Sequence, residues 1–243
     1  MHQQRFEHDF VRLYAYGDTF RLVYFKTPVR VGGFEDSKNK CSARSRLNDA
    51  GRYDCNISRA KSAVTEIALC NQWDWFVTLT LDAGKYDRYD LHGFQRDLSR
   101  WVRNQRRNGG ALRYLLIPEQ HKDGAWHMHG LFAGILQEAV SINQYGYYEW
   151  GAYSRKFGFM SMSAVREPRA VARYITKYIT KDFGGAGREK GEQLYFASRG
   201  LRRRELLAEG ALLAGPAWTF ENEYVKSVWL DSLEAVELDA WKG

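Results

Sequence analysis

The chain has 243 residues, of which 44% are hydrophobic and 27% charged, and its formal net charge is +7. It is long enough to bury a real core, and no stretch approaches the roughly 18 apolar residues of a membrane span. Three cysteines without a CxxC spacing argue against a disulfide framework or a cysteine-rich zinc site. The N-terminus lacks the layout of a signal peptide, so we predict a cytoplasmic protein without a membrane partner.

The first part of the chain predicts strands, a polar loop and a helix. Residues 1–31 are strand-like and aromatic, whereas residues 32–56 are rich in Gly, Ser and charged side chains. This polar segment predicts a loop or linker. Its basic side chains are Lys38, Lys40, Arg44 and Arg46. Helical spacing of apolar residues predicts a helix over 58–71.

A strand and a capped helix are predicted next. In "WDWFVTLTLD", residues 73–82, side chains alternate between two faces, and Thr78 and Thr80 share one of them. Asp90 can cap a helix over 91–107, whose apolar stripe faces a core. The other face of this helix is basic. Its arginines are Arg96, Arg100, Arg103, Arg106 and Arg107.

A hairpin follows, with strands over 112–120 and 125–134 around "HKDG". The Asp-Gly pair is a strong hairpin signal. The remaining predicted elements are a strand over 157–165, a helix over 166–185 that begins with Pro168 in its first turn, and extended segments over 192–201 and 218–230.

Two of the six histidines, His127 and His129, are one residue apart in the second hairpin strand. Alternation directs both side chains to the same face, about 6.5–7 Å apart along the backbone. Two imidazoles in this position can converge on one metal ion. Two hydrogen-bonded histidines without a metal are the simpler interpretation of this pattern taken alone.

The hairpin loop decides whether a carboxylate joins these histidines. If residues 122–124 form a three-residue loop with Gly124 in the left-handed conformation, Glu119 lies opposite His127 and shares its face. A two-residue turn would shift the register by one and turn Glu119 away. His121 is the competing third ligand, but it lies closer to the loop end. A mixed oxygen–nitrogen site of this kind suits Mg²⁺ or Mn²⁺ in phosphate chemistry.

The segment "YITKYITKD", residues 174–182, places two tyrosines one helical turn apart, each followed three residues later by a lysine. These residues are Tyr174, Lys177, Tyr178 and Lys181. A phenol is a poor nucleophile because its pKa is near 10. A metal-polarised phosphodiester and a nearby lysine would favour its attack. The pattern predicts metal-assisted attack by tyrosine on DNA, whereas an ordinary amphipathic helix with rim tyrosines is the alternative.

Three segments, "FVTLTL", "PEQHKDGAWHMHGLF" and "ARYITKYITKD", resemble in this order the three motifs of HUH endonucleases, the rolling-circle replication initiators and relaxases. The paired tyrosines with their lysines are similar to the two-tyrosine initiators of small single-stranded DNA phages and related plasmids. The later segment "LYFASRGLRRRE" also resembles a part of such initiators. The resemblance covers roughly residues 57–205.

The resemblance implies an α+β fold with a central five-stranded antiparallel sheet flanked by helices. It matches His127, His129 and Glu119 to metal ligands for Mg²⁺ or Mn²⁺. The two tyrosines match the nucleophiles, and the two lysines match their associated residues. On this basis we predict an N-terminal extension with the basic loop over 1–56 and a core over 57–205. A C-terminal extension over 206–243 is predicted to complete the same domain.

The implied reaction is nicking of single-stranded DNA at a replication origin in a bacterial host cell. A 5′-phosphotyrosine forms, the 3′-hydroxyl primes synthesis, and the second tyrosine cleaves the regenerated site before the ends are rejoined. A host polymerase and a host helicase are expected partners, since no helicase motor is visible. An HUH-type transposase or relaxase would use similar chemistry. A non-catalytic nucleic-acid-binding module is the alternative from another class.

Several basic and aromatic segments are candidates for DNA contact. Arginines offer phosphate contacts without sequence information. The candidates are Arg100, Arg103, Arg106, Arg107, Arg202, Arg203 and Arg204. Aromatic residues in "NQYGYYEWGAYSRKFGF", residues 143–159, could stack on bases. The simpler expectation is that most of them close a hairpin and pack against the core.

Overall fold

A computed structural model of the protein describes residues 5–7, 9–31, 49–107, 111–181 and 193–240. In these ranges the chain forms four α-helices and fifteen strands. The helices are α1 (Asp49–Cys70), α2 (Leu91–Arg107), α3 (Gly151–Lys156) and α4 (Pro168–Lys181). The strands are β1 (Arg5–Glu7), β2 (Phe10–Tyr16), β3 (Thr19–Phe25), β4 (Val29–Val31), β5 (Trp75–Thr80), β6 (Arg113–Gln120), β7 (Trp126–Ala133), β8 (Val140–Ile142), β9 (Tyr148–Trp150), β10 (Met160–Ala164), β11 (Phe196–Ala197), β12 (Glu205–Ala214), β13 (Phe220–Glu221), β14 (Val225–Leu230) and β15 (Glu237–Ala240).

The chain divides into two compact units. One comprises Tyr53–Arg202, and the other combines Met1–Arg52 with Arg203–Gly243. The predicted boundaries near residues 56 and 205 stay a prediction of domain organisation. No helix in the described ranges is long and apolar enough to cross a membrane.

The unit of Tyr53–Arg202 is built on a seven-stranded antiparallel sheet in the order β11-β6-β7-β5-β10-β9-β8. The α+β class is confirmed, whereas the expected five-stranded sheet is wrong in its strand number. The additional edge strands are two or three residues long, too short to show a periodic pattern in the sequence. The histidine strand β7 lies between β6 and β5, in the interior of the sheet.

Each face of this sheet packs a different core. On one face, α2 buries its apolar stripe against Val77, Leu79 and Met128. On the other face, α1 and α4 pack on Ile117 and Leu131. This division follows from strand alternation, because β5 buries every second side chain. The side chains between Val77 and Leu79 therefore belong to the face that α1 and α4 share.

The helices agree with the sequence except at one end. Asp90 caps α2, since its side chain accepts a hydrogen bond of 2.8 Å from the Gly93 backbone N–H. Pro168 opens α4 as predicted. The helix predicted over 58–71 begins at Asp49, so the predicted loop is wrong over 49–56. No proline interrupts this polar segment, and its helix extends beyond the apolar stripe that marks the packed part. Residues 32–48, with the basic side chains of the predicted loop, lie outside the described ranges.

The other unit contains a six-stranded antiparallel sheet in the order β13-β14-β3-β2-β12-β15 and the two-stranded pair β1-β4. Its core lies on one face of the larger sheet and centres on Val11, Leu13, Leu22 and Val228. The strand-like character of residues 1–31 is thus confirmed within the described ranges. The extended segments predicted over 192–201 and 218–230 contain β11, β13 and β14.

Candidate active site

The hairpin of β6 and β7 aligns the predicted acid with the two histidines. Glu119 pairs with His127, and Ile117 pairs with His129. The backbone N–H of His121 donates to the Ala125 carbonyl at 2.8 Å, which leaves a three-residue loop. Gly124 has φ +85°, a left-handed conformation that glycine adopts at low cost. The predicted three-residue loop and its register are confirmed, and Glu119 therefore lies on the face of the histidines.

Glu119 and His129 are in direct contact. Glu119 Oε2 lies 2.6 Å from His129 Nε2, and only 12% of each side chain is exposed. This distance is that of a hydrogen bond with a charged partner. One oxygen donor and one nitrogen donor therefore meet at a single point on the sheet.

Two threonines on the neighbouring strand β5 hold the histidine rings. Thr78 pairs with His129 and Thr80 with His127. Hydrogen bonds link Thr78 Oγ1 to His129 Nδ1 at 3.1 Å and Thr80 Oγ1 to His127 Nδ1 at 3.0 Å. Because each Nδ1 is engaged by a hydroxyl, Nε2 is the nitrogen of each ring left for other partners. Sequence reasoning placed both threonines on one face but missed this role, since the register of β5 against β7 is set across a long connection.

Helix α4 brings the second tyrosine directly onto the histidine. The rings of Tyr178 and His129 are stacked, with centroids 4.0 Å apart and planes at 11°. Phe76 supports the group, because its ring contacts Tyr174 at 5.3 Å and Tyr178 at 6.3 Å. The apolar side of α4 buries Ile175 as predicted. The tyrosine flank of α4 thus lies against the histidine face of the sheet.

The two tyrosines are connected to each other. The Tyr178 hydroxyl donates to the Tyr174 hydroxyl at 2.9 Å. Partial burial raises the pKa of Tyr178 above its usual value, and the hydrogen bond to Tyr174 raises it further. Tyr174 is the more accessible of the pair, with 44% of its surface exposed. One tyrosine is therefore packed against the histidine while the other faces solvent.

The two lysines of the predicted Tyr-x-x-Lys pairs differ in what is described. Lys177 Nζ lies 5.3 Å from the centroid of the Tyr174 ring, close enough for a cation–π contact. Lys181 is the last residue of α4, and its side chain lies outside the described residues.

His127 lies in a more crowded setting near the hairpin loop. Burial lowers the pKa of His127, and the neighbouring His121 and Arg88 lower it further. The rings of His121 and His127 are 5.4 Å apart, so the competing ligand candidate also lies near the site. His121 is largely exposed, and its Nδ1 lies 3.3 Å from Asp123 Oδ1. Direct contact with His129 distinguishes Glu119 from His121.

Sequence reasoning missed Arg88. The Arg88 carbonyl accepts a hydrogen bond of 2.8 Å from the Trp126 backbone N–H, which fixes this loop beside β7. The guanidinium Nη2 is 3.7 Å from Asp123 Oδ2, and its buried Nε has no hydrogen-bond partner among the described residues. A loop cation gives no periodic signal. Only its contact with the start of the histidine strand marks it.

The residues present suit a hard divalent cation by their chemistry. Carboxylate oxygen with imidazole nitrogen is a donor set compatible with Mg²⁺ or Mn²⁺. Glu119 and His129 supply two donors in contact, and His127 lies on the same face. Within the part of the chain that the structure describes, no group of three acidic, histidine or cysteine side chains is preassembled around one point.

The arginines predicted to contact DNA are divided among several places. Those of α2 lie on a helix that packs against the sheet face opposite the histidines. Arg106 also has structural partners there, since it donates to the Leu112 carbonyl at 2.6 Å and to Ser198 Oγ at 2.8 Å. In the other unit, the Arg204 guanidinium stacks over Tyr14 at 4.2 Å and donates to Tyr16. Arg202 and Arg203 are exposed. DNA contact by these arginines stays a prediction.

Residues 74–183 match the family model of replication-associated proteins of the ORF2 and gene 2 protein type. The matched segment runs from the start of β5 past the end of α4 and so contains both histidines, Glu119 and both tyrosines. It supports a replication-associated protein of the rolling-circle initiator type. Searches among curated proteins and among solved structures gave no match.

Proposed function

We propose that this protein is a rolling-circle replication initiator that nicks single-stranded origin DNA by tyrosine attack. The observation that carries this proposal is the stacking of Tyr178 on His129, the histidine that also contacts Glu119. A nucleophile and a metal-binding donor pair are thereby adjacent on one face of a sheet. The similarity of residues 74–183 to a replication-associated family supports the same function.

The proposed step is a transesterification in which atoms and charges balance. A tyrosine oxygen forms a bond to phosphorus, and the bond from phosphorus to the 3′-oxygen breaks. The phenolic proton leaves to solvent and the 3′-oxygen gains one. The products are a 5′-phosphotyrosine and a free 3′-hydroxyl, which a host polymerase can extend. Since no nucleotide is consumed in this exchange, the reverse reaction rejoins strands.

Each side chain has a defined part in this proposal. Glu119, His127 and His129 hold a divalent cation, which when bound polarises the phosphodiester and favours the phenolate. Thr78 and Thr80 fix the imidazole orientation. Because burial raises the pKa of Tyr178, this phenol depends on such help more strongly than a solvated one.

The proposed alternation of nucleophiles follows from the tyrosine pair. The two hydroxyls are 2.9 Å apart, so both phenols can approach one phosphate position from one helix. One tyrosine would carry the first covalent link, and the other would cleave the regenerated site. Lys177 beside Tyr174 supplies positive charge near the more exposed phenol, and Lys181 is proposed to do the same for Tyr178.

A labelled-strand assay tests this function. The full chain is incubated with Mn²⁺ and a pool of single-stranded oligonucleotides that carry a randomised central segment. One pool is labelled at the 3′ end and a matched pool at the 5′ end. We expect a denaturation-resistant protein band with the 3′ label only, because the 5′-phosphotyrosine retains the 3′ fragment. Chelator abolishes the band, and sequencing of the attached strands gives the preferred site.

Tyrosine variants provide the matched controls. Tyr174→Phe and Tyr178→Phe each retain one nucleophile and form some adduct, whereas the double variant forms none. A label transferred from the 5′ end would contradict the proposed polarity. A protein that binds the oligonucleotides but never forms an adduct would contradict the enzyme and favour a non-catalytic binding module.

A further inference from the structure

The aromatic-rich segment 143–159 separates into buried and exposed side chains. Trp150, Tyr153 and Phe157 are at most 6% exposed and lie in the core beside α2. Tyr145 and Phe159, in contrast, are 65% and 41% exposed. The expectation of packing thus describes only part of this segment. The exposed rings have no role in the core and need another explanation.

Phe159 belongs to the histidine face of the sheet. Its carbonyl accepts a hydrogen bond of 2.9 Å from the Thr80 backbone N–H, which continues the pairing of β10 with β5 by one residue. The next residue, Met160, is buried against the α2 side, so alternation turns Phe159 to the opposite face. That face carries Thr80, whose hydroxyl bonds to His127. Two strand spacings, about 10 Å, separate the backbones of Phe159 and His127.

Tyr145 extends this exposed surface from an ordered turn. Its ring meets the Phe159 ring edge to face, with centroids 6.0 Å apart. The side chain of Asn143 accepts hydrogen bonds from the backbone N–H groups of Tyr145 and Tyr147, which fixes the turn. We call Phe159 and Tyr145 together the aromatic platform. It is a rigid apolar surface on the same face as the candidate active site.

Charge near the platform favours a polyanion as its occupant. Arg155 and Lys156 are exposed at the end of α3, just before Phe159. Lys85 donates to the Arg155 carbonyl and pairs with Asp82 at 3.2 Å. Among these four side chains three are cationic. Exposed aromatic rings beside cations are the means by which proteins bind single-stranded nucleic acid, since rings stack on bases and cations contact phosphates.

We infer that the aromatic platform stacks on bases of the single strand that flanks the cleaved phosphate and thereby positions this strand on the sheet. The inference rests on the proposed function and adds the path of the substrate away from the tyrosines. The strand passes from His127 across Thr80 to Phe159 and then to Tyr145. Stacking is tolerant of sequence, because every base presents a π face.

Base fluorescence tests the platform without any cleavage. The probe is a single-stranded oligo(dT) of twenty nucleotides with 2-aminopurine at one position, and the position is varied along a series. In chelator, wild-type protein should bind the strand and quench 2-aminopurine at one or two positions through stacking. We expect Phe159→Leu, which keeps an apolar side chain but removes the ring, to abolish this quenching and weaken binding about tenfold.

Two further variants make the comparison specific. Tyr145→Leu should reduce quenching at a neighbouring position and repeats the test if Phe159→Leu does not fold. Tyr147→Leu is the matched control on the same turn, because Tyr147 is 53% exposed but has no ring contact with Phe159 among those described. It should bind and quench like wild type.

The outcomes separate the platform from the nicking reaction. Quenching and affinity that persist in both Phe159→Leu and Tyr145→Leu would overturn the platform, even if the covalent adduct forms normally. Quenching that these variants lose, in a protein that never forms an adduct, would support the platform and contradict the enzyme. If sedimentation showed that Phe159→Leu only dissociates a dimer and leaves strand binding unchanged, the surface would be a contact between copies, which also overturns the inference.

Discussion

The two faces of the seven-stranded sheet are made by the same strands but differ in what covers them. On β5, Val77 and Leu79 enter the core beneath α2, whereas Thr78 and Thr80 face the other way and bond to histidines. On β7, Met128 is fully buried between His127 and His129. One face is therefore closed by apolar contacts. The opposite face is closed by α1 and α4 only in part, and polar side chains lie in the remaining part.

This difference explains how the site obtains its rigidity. Every polar side chain on the site face alternates with a buried one, so the packing of one face fixes the backbone that carries the other. A site built on interior strands is held more firmly than one on loops. Changes on the two faces should therefore affect different properties, catalysis on one and stability on the other.

The largest effect on catalysis should follow loss of the central histidine. His129→Asn removes the nitrogen that contacts Glu119 and the ring that supports Tyr178. We expect adduct formation with Mn²⁺ to fall at least about 100-fold, while the melting temperature changes little. Initial rates of adduct formation and a thermal melt measure the two quantities. A variant that unfolds instead would break the division between the faces.

The neighbouring position should show the opposite pattern. Met128→Ala removes a fully buried side chain one residue away and leaves a cavity. We expect a loss of about 2–5 kcal/mol in the free energy of unfolding, measured with urea. Under conditions where the variant stays folded, its rate of adduct formation should remain within a few-fold of wild type. A loss of adduct as large as that of His129→Asn would contradict this comparison.

A smaller effect is expected from the residue that orients the ring. Thr80→Val keeps the shape but removes the hydroxyl that bonds to His127. The Mn²⁺ concentration for half-maximal adduct formation should rise about 10–100-fold, as for other groups that orient metal ligands. Ser161→Ala on β10, on the same face, is the control and should leave this concentration unchanged. Equal effects of both changes would show that the hydroxyl bond has no specific role.

The smallest effect concerns which face meets the phosphate backbone. Arg88→Gln removes a guanidinium beside His127, so binding of fluorescein-labelled single-stranded DNA should weaken. The slope of log affinity against log salt should decrease by about 0.7 for one lost phosphate contact. Arg100→Gln tests the predicted basic face of α2 in the same titration. A decrease for Arg100 but not for Arg88 would place the DNA on the other face of the sheet.

The sequence predicted the local parts of this arrangement well. The Asp-Gly signal and the alternation of "WHMHGLF" were sufficient for the register that joins Glu119 to the histidines, because a short loop sets both. Helical spacing likewise predicted which side of α4 is buried. These features depend on neighbours within a few residues.

Features that depend on long-range pairing could not be predicted in this way. The stacking of Tyr178 on His129 joins residues 49 positions apart along the chain, and no local pattern sets that distance. The short edge strands β8, β9 and β11 form because partners are available, not because their own sequence demands it. Arg88 and the aromatic platform have the same origin, since loops bring them to the sheet.

The measurement that tests the central claim most directly is the identification of the residue bound to DNA. Trypsin would release the same peptide, YITK, from residues 174–177 and 178–181, so the adduct is digested with a protease that cleaves after glutamate. Because Glu167 precedes a proline and resists cleavage, the peptide that carries both tyrosines spans 150–189, and its fragmentation locates the nucleotide. Attachment through phosphate to Tyr174 or Tyr178, dependent on Mn²⁺ and on His129, is the predicted result. Attachment to any other residue, or an adduct that forms equally without His129, would contradict the account.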